Sequence, residues 1–515
     1  MFQTYCAKDC IALDHVASEA DLARMWNTLN WKEIQGEVFR LQCRIARSAQ
    51  DRNLQDIMQL QSELVASLEA KICAVREVTR KKSRNTPGVD GVLWKTAAEK
   101  MHAAYHLGDP GYRASPVRRV YIPKEKPGRY RPLGIATMLD RAVQKLYALA
   151  LQPVAETWGD PGSFGYRLFR SAKDAYQVIR DYLIAAERPL WVFDADITEC
   201  FDRIRHDWLM EHIPLDRKYL NQVLTAGYVY RGRWHPVTRG VPQGGILSPI
   251  LANMALDGLE PALIKHYSDN APGDRKPPPG TCPDLFFVRY ADDLVVLAPD
   301  LSTIGEAGGV TAAFLHERGL FLSREKTRIV PAEQGFTFLH WHFRKKGRYV
   351  RVTPSSSSVR RIEQKISRIF FNQAGKSPEG LIRQLNPLLR GFAYYHRGVD
   401  AAPVFRHLDS MIHREICRLL RKWYPDRPDS WLLERFWTRN SSGVWNFRAG
   451  ADTLFLLSNI TEERTVPVET TRNPYLDRSS ITRAFRGEDA LQRAVSRDRK
   501  RQKRVRMLWR VDDYA

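Results

Sequence analysis

Between Leu22 and Arg80 the apolar positions Ile45, Leu54, Ile57, Leu60, Leu64, Leu68 and Ile72 recur mostly at three- and four-residue steps, with charges between them. That spacing predicts a long amphipathic helical region. Asn85-Thr86-Pro87-Gly88-Val89-Asp90-Gly91 ends it with turn chemistry. Arg118 to Ile122 alternates like a strand and runs into loops marked by Pro123, Pro127, Gly128 and Pro132. Leu139 to Leu151 reads as a helix. Leu190 to Ile197 is a short apolar run interrupted by two aspartates, with a helical stretch following to about Ile213. Two further apolar runs, Leu285–Val288 and Leu294–Leu297, flank Arg289-Tyr290-Ala291-Asp292-Asp293 and predict a hairpin with carboxylates on its turn. Ser355–Ser358 reads as a linker. Beyond it Val359–Phe371, Leu381–Arg397 and Val404–Trp423 carry helical spacing and would pack as a small bundle. Thr438 to Asn473 is less regular, and Leu491 to Arg510 is a basic run.

Composition narrows the class. A chain of 515 residues with 43% hydrophobic side chains can bury several cores, so several domains are expected. The balance of 80 basic against 58 acidic side chains leaves a net charge of +22, which predicts a polyanionic partner, nucleic acid before a membrane surface. No run of 18 apolar residues occurs to span a bilayer, and Met1–Ala20 lacks the pattern of a secretory signal. Seven cysteines without paired spacing argue for a reducing, cytoplasmic setting. Cys6 and Cys10 are the one close pair, and no second pair stands near to complete a zinc site.

The adjacent acids Asp292 and Asp293 raise a physical question. On an exposed turn they would simply be solvated; partly buried, they repel and call for a cation, and oxygen ligands favour magnesium. A second set of acids, Asp194, Asp196 and Asp202, stands at and after the end of the Leu190–Ile197 run. An acid at that strand end, brought beside the Asp292-Asp293 turn, would supply a two-metal site for in-line phosphoryl transfer.

The ordered motifs go further. Asn85–Gly91 (NTPGVDG), Val120–Lys124 with Tyr130–Ala136 (VYIPK and YRPLGIA), Trp191–His206 (WVFDADITECFDRIRH), Gly240–Asn253 (GVPQGGILSPILAN), Val288–Leu294 (VRYADDL), Leu322–Arg328 (LSREKTR), Gly335–Phe343 (GFTFLHWHF) and Asn386–Arg397 (NPLLRGFAYYHR) follow one another in this chain. Their order resembles the reverse transcriptases encoded by group II introns, maturase extension included, from about residue 20 to 475. The resemblance implies an α/β right-hand polymerase: an N-terminal helical extension over 1–84, fingers and palm with an antiparallel sheet over 85–353, a helical thumb or maturase domain over 354–446, and a basic, DNA-binding-like segment over 447–515.

It also implies roles. Asp196, Asp292 and Asp293 match the catalytic acids that hold two Mg²⁺ ions, with a backbone carbonyl of Ile197 as a further ligand; Asp194 and Asp202 are then structural. Phe201 matches the aromatic gate against a ribose 2′-hydroxyl, as opposed to an ordinary core ring. Lys124 and Arg131 match the finger cations that grip the incoming triphosphate, and Gln243 matches a residue lining the nucleotide pocket. Lys326 matches a basic residue placed to protonate pyrophosphate. In the thumb, Arg383, Arg390, Tyr394, Tyr395, His396 and Arg397 interleave cations and rings as RNA contact requires, although a helix with an aromatic core face would look the same. Arg499, Lys500 and Arg501 fall in the basic run, where the family binds DNA.

The implied function is RNA-directed synthesis of DNA from dNTPs on a primed RNA template, copying intron RNA at a DNA target while helping that structured RNA to splice. A polymerase turned to defence or DNA repair is the alternative, and an RNA-binding maturase without polymerase activity a third possibility. No Cys-x-x-Cys pair follows Asn473-Pro474-Tyr475. A zinc-bearing nuclease is therefore not expected, and insertion into single-stranded or already primed DNA fits better.

Overall fold

The computed structural model describes residues 18–477 except 81, 110, 124–127, 271–284, 373–376, 440–442, 444, 462–469 and 471. Where the periodicity predicts one long helical region, four helices form: Glu19–Thr28, Trp31–Gln50, Leu54–Ala66 and Leu68–Arg80. Asparagines make the first two breaks, and Ser67 the third. The side chains of Asn30 and Asn53 accept from the backbone N–H groups of Glu33 and Asp56, so each starts a new helix. Ile45, Ile57, Leu64 and Ile72 are fully buried and share a core with the helix Met138–Trp158.

Two four-stranded sheets follow. Strands β1 (Val117–Pro123) and β2 (Tyr130–Ile135) form the first hairpin, and β3 (Trp191–Asp196) comes next in the chain. The pair β4 (Tyr228–Tyr230) and β5 (Arg233–His235) joins the first hairpin in the order β2-β1-β4-β5. Strands β6 (Phe286–Tyr290), β7 (Asp293–Ala298) and β8 (Arg328–Pro331) flank β3 in the order β6-β7-β3-β8, antiparallel throughout.

This second sheet is covered on both faces. Phe193, Ala195, Leu294 and Val296 pack with Ile304 and Ala307 of the helix Leu301–Glu317. Val192, Val288, Val295 and Leu297 share a core with Ala175 and Ile179 of the helix Ala172–Ala185. With both faces apolar, the charged residues of β3 and β7 collect at one end of the sheet.

A three-stranded sheet, β9 (Phe336–Phe338), β10 (Trp341–Lys346) and β11 (Tyr349–Pro354), leads into the helices Ser356–Asn372, Pro378–His396 and Ala402–Trp423. Ser355–Ser358 is not a linker. Ser355 and Ser358 are buried, and Ser355 Oγ accepts from Ser358 N–H at 3.2 Å to cap the first of these helices. The serine run reads as a loop by composition, but serine hydroxyls are also among the best helix caps. No helix among the described residues is long and apolar enough to cross a membrane.

Candidate active site

The predicted hairpin forms with Tyr290 facing Asp293 and only Ala291 and Asp292 in its turn. A two-residue hairpin turn needs a positive φ at its first position, and Ala291 supplies it at 55°. Register then brings the acids together. Asp293 opens β7 directly opposite Asp196, the last residue of β3, and Ile197 N–H donates to the Asp292 carbonyl at 3.3 Å.

Three aspartates from two distant stretches of chain thus meet at one sheet end. Burial, then the neighbouring Asp292 and Asp196 charges, push the Asp293 carboxyl up to about 8. Asp292 is raised as well, mainly by burial. Lys326 offsets part of this charge, its ammonium donating to Asp196 at 2.7 Å. Partial burial disfavours the Lys326 charge, but the three carboxylates outweigh it and raise its pKa.

The other predicted residues divide clearly. Arg131 is exposed on β2 and its charge reaches Asp292. Phe201 is half-buried, its ring edge-on to that of Tyr166 at 6.3 Å. Gln243 donates from Nε2 to Asp202 at 2.8 Å, and its carbonyl accepts from Gly134 N–H on β2 at 2.7 Å, which ties the first sheet to the site. A cavity of about 310 Å³ opens behind this junction, with Asp202, Arg119, Pro132 and Pro242 in its wall. Asp194 pairs with Arg328 on β8 at 3.0 Å, a structural role. Ile197 is buried directly behind the acids.

Lys124, Arg499, Lys500, Arg501, Cys6 and Cys10 lie outside the described residues. Arg383 and Arg390 are exposed; Arg383 pairs with Asp452 at 2.7 Å, and Arg390 lies over Phe455. Arg397 covers the half-buried ring of Tyr394. Tyr395 is different: it is buried, stacked on Trp341 at 4.6 Å, and donates its hydroxyl to the Leu339 carbonyl. It belongs to the core and is corrected from a nucleic-acid contact. His396 is buried too, and burial depresses its pKa to about 3, so it stays neutral.

One group that motif reading missed stands beneath the turn. Arg289 is fully buried and donates to Asp257 at 2.5 Å, to Asn253 Oδ1 at 3.3 Å and to the Ala291 carbonyl at 3.4 Å. Its backbone exchanges hydrogen bonds with Gly162 and Phe164, each at 2.8 Å. Glu260 accepts from Gly162 N–H at 2.7 Å, and burial raises its carboxyl to about 7. The neighbouring Asp257 is raised to about 6, also by burial.

A raised pKa carries a definite sign. Glu260 contributes its full stabilisation below its unfolded value of 4.5, and that contribution is lost as pH rises through about 7. Glu260→Gln, which cannot ionise, is therefore expected to match wild type near pH 4.5 and to exceed it at pH 8. The difference should be on the order of 1–2 kcal/mol in denaturant melts. Parallel curves across that range would show that Glu260 titrates normally.

Comparison with known proteins agrees with this geometry. The family model described as reverse transcriptase (RNA-dependent DNA polymerase) matches residues 122–343, and that for the N-terminal domain of reverse transcriptase matches 26–107. The group II intron maturase-specific domain matches 359–437. The chain belongs to the group II intron reverse transcriptase–maturase family.

Among relatives of this reverse transcriptase, protein YkfC of Escherichia coli (strain K12) is 32% identical over 311 residues, covering 54% of this chain and 81% of that one. Group II intron-encoded protein LtrA of Lactococcus lactis subsp. cremoris is 30% identical over 230 residues, 43% of this chain and 38% of LtrA. The putative COX1/OXI3 intron 2 protein of Saccharomyces cerevisiae is 25% identical over 365 residues, 60% of this chain and 40% of that protein. The chain therefore matches about two fifths of the length of the latter two.

Reverse transcriptases are RNA-directed DNA polymerases that use divalent metal ions, and their partners are nucleic acids. Among the described residues no three His, Cys, Asp or Glu side chains are drawn into a closed metal cluster, and Lys326 holds Asp196 instead. The donor set still fits a hard cation. It is all carboxylate, buried and then crowded enough to raise two of its members, and open on the side of Lys326, whose side chain is 63% exposed.

Proposed function

We propose that this reverse transcriptase copies the RNA of a group II intron into DNA at a target site and assists the splicing of that RNA as its maturase. The observation that carries the reading is the register of β3 against β7, which sets Asp196 opposite Asp293 beside Asp292. Two Mg²⁺ ions held by these three carboxylates, with the Ile197 carbonyl as a further ligand, would activate the primer 3′-hydroxyl and stabilise the leaving pyrophosphate.

The chain's own groups do the rest. Arg131 with Lys124 grips the triphosphate, a fork and a point charge on one anion. Gln243, held by Asp202, borders the nucleotide. Phe201 screens the sugar. Lys326, charged and already within hydrogen-bond reach of Asp196, stands where pyrophosphate departs and can hand it a proton. Arg383, Arg390 and Arg397 with Tyr394 are offered to structured RNA, and the Arg499-Lys500-Arg501 run to DNA.

Primer extension on an RNA template with dNTPs tests the reading. DNA synthesis is expected with Mg²⁺ and should stop on chelation and resume on re-addition. A well-folded protein that extends no primer, yet promotes splicing of a group II intron RNA, would reduce the function to that of a maturase.

A further inference from the structure

Beside the catalytic turn stands a residue that none of the assigned roles uses. Tyr166 has a φ of 58°, a left-handed backbone that bulky side chains avoid. The residue is 53% exposed. An exposed tyrosine with no other constraint would relax to an ordinary conformation, so something must hold it.

Both neighbours do. On one side, Gly165 packs so tightly on the turn that a Cβ there would fall 2.4 Å from the Ala291 nitrogen, and its carbonyl accepts from Asn253 Nδ2 at 2.7 Å. On the other, the buried guanidinium of Arg167 donates to Glu156 Oε2 and the Glu156 carbonyl at 3.0 Å and to the Asp160 carbonyl at 2.6 Å. Strain that the surroundings enforce at an exposed side chain next to a reaction centre points to use of that side chain.

The direction of use follows from what Tyr166 faces. Its ring stands perpendicular to Phe201 at 6.3 Å, in an edge-to-face pair. Burial raises its hydroxyl, and the charges of Asp292 and Arg131 both reach it. Tyr166 therefore stands beside the catalytic turn and within reach of both the acid that would hold metal and the cation that would hold triphosphate. A nucleotide bridging those two groups would lay its sugar against the two rings.

We propose that Tyr166 is the second wall of the sugar gate, a specificity-determining residue that closes with Phe201 on the incoming sugar and excludes a ribose 2′-hydroxyl. The inference rests on the polymerase reading above. One ring edge can be avoided by a small pucker of the sugar, whereas two perpendicular rings leave the extra oxygen no direction to turn. The strained backbone keeps the second ring from swinging away.

Single-nucleotide incorporation on a primed RNA template, with matched dNTP and rNTP, tests this in wild type, Tyr166→Gly and Tyr166→Phe. Tyr166→Gly should lower the dNTP/rNTP ratio of kcat/KM about ten-fold, mainly through a gain with rNTP. Glycine accepts a positive φ freely, so the same variant should melt at a higher temperature than wild type. Tyr166→Phe should keep the wild-type ratio, because the ring does the screening.

A Tyr166→Gly ratio equal to wild type would overturn the gate. Loss of both incorporations together, with melting intact, would also overturn it, since a gate screens the sugar without being needed for transfer. The wild-type lane separates the two levels of inference. If it incorporates no dNTP, the polymerase reading falls and takes the gate with it; if it does, only the gate is in question.

Discussion

Asp292→Ala is expected to reduce primer extension at least about a thousand-fold, while the protein melts no lower than wild type in metal-free buffer. The first half follows from chemistry. A carboxylate that holds the metals of a phosphoryl-transfer site contributes several kcal/mol to the transition state, and each ~1.4 kcal/mol is a factor of ten. The second half follows from the electrostatics of the hairpin. Burial already raises the Asp292 carboxyl, and Asp196 adds like charge, so without a cation the side chain is a cost to the fold. Removing it relieves that cost. Activity and stability should therefore move in opposite directions, as they do where stability has been given up for function. Steady-state extension and thermal melts on the same preparation check both. Residual extension within ten-fold of wild type would show that Asp292 is not a metal ligand, and a large drop in melting temperature would make it a structural acid.

The second large effect lies one layer beneath the site. Arg289→Met should destabilise the protein by about 3–5 kcal/mol, the range for breaking a buried ion pair from one side. Arg289 is fully buried and its partner Asp257 nearly so, with side-chain exposures of 0% and 8%. Methionine fills much of the volume but leaves Asp257 unpaired in the interior, and it removes the donor to the Ala291 carbonyl at the catalytic turn. The double variant Arg289→Met/Asp257→Leu should recover most of the stability, because neither charge then remains buried. It should not recover polymerisation, since the turn has still lost its support. Denaturant midpoints for the two variants decide the matter. A double variant no more stable than the single one would mean that Arg289 acts through packing rather than charge.

This network also explains why the loop carrying Tyr166 is where it is. Asp257 and Asp160 form a small exchange of hydrogen bonds with backbone, Asp160 N–H donating to Asp257 and the Gly258 and Glu260 N–H groups donating to Asp160. The loop, the turn and the helix Ser248–Leu256 are thus one rigid support. Asp196, Asp292 and Asp293 lie half-buried at the sheet end, while Arg289 and Asp160 of the ion network are buried.

Much of the candidate site was legible in the sequence because its signals are local. Asp292 and Asp293 sit between two short apolar runs, and that arrangement is a hairpin whatever surrounds it. The acids ending Leu190–Ile197 are legible in the same way, and the ordered motifs named the family. The helices of residues 356–423 carry a periodicity that packing only had to confirm. Which side of a helix meets solvent was harder. Tyr394 and Tyr395 are adjacent and chemically alike, and only the position of Trp341, more than fifty residues earlier in the chain, buried one and left the other half-open.

Other features exist only in three dimensions. No spacing rule relates Arg289 to Asp257, or Gly165 to Ala291, because a buried ion pair and a close backbone approach depend on which segments the fold brings together. The left-handed backbone of Tyr166 is invisible in its own residue type, which would predict the opposite. By itself the sequence determined the family, the pair of acids on a hairpin turn and the order of the elements, since all of these are written in local pattern and residue type. The tertiary structure alone decided which acids face one another, which aromatic rings remain open to solvent, and which buried charges hold the turn, since each depends on register and packing between segments far apart in the chain.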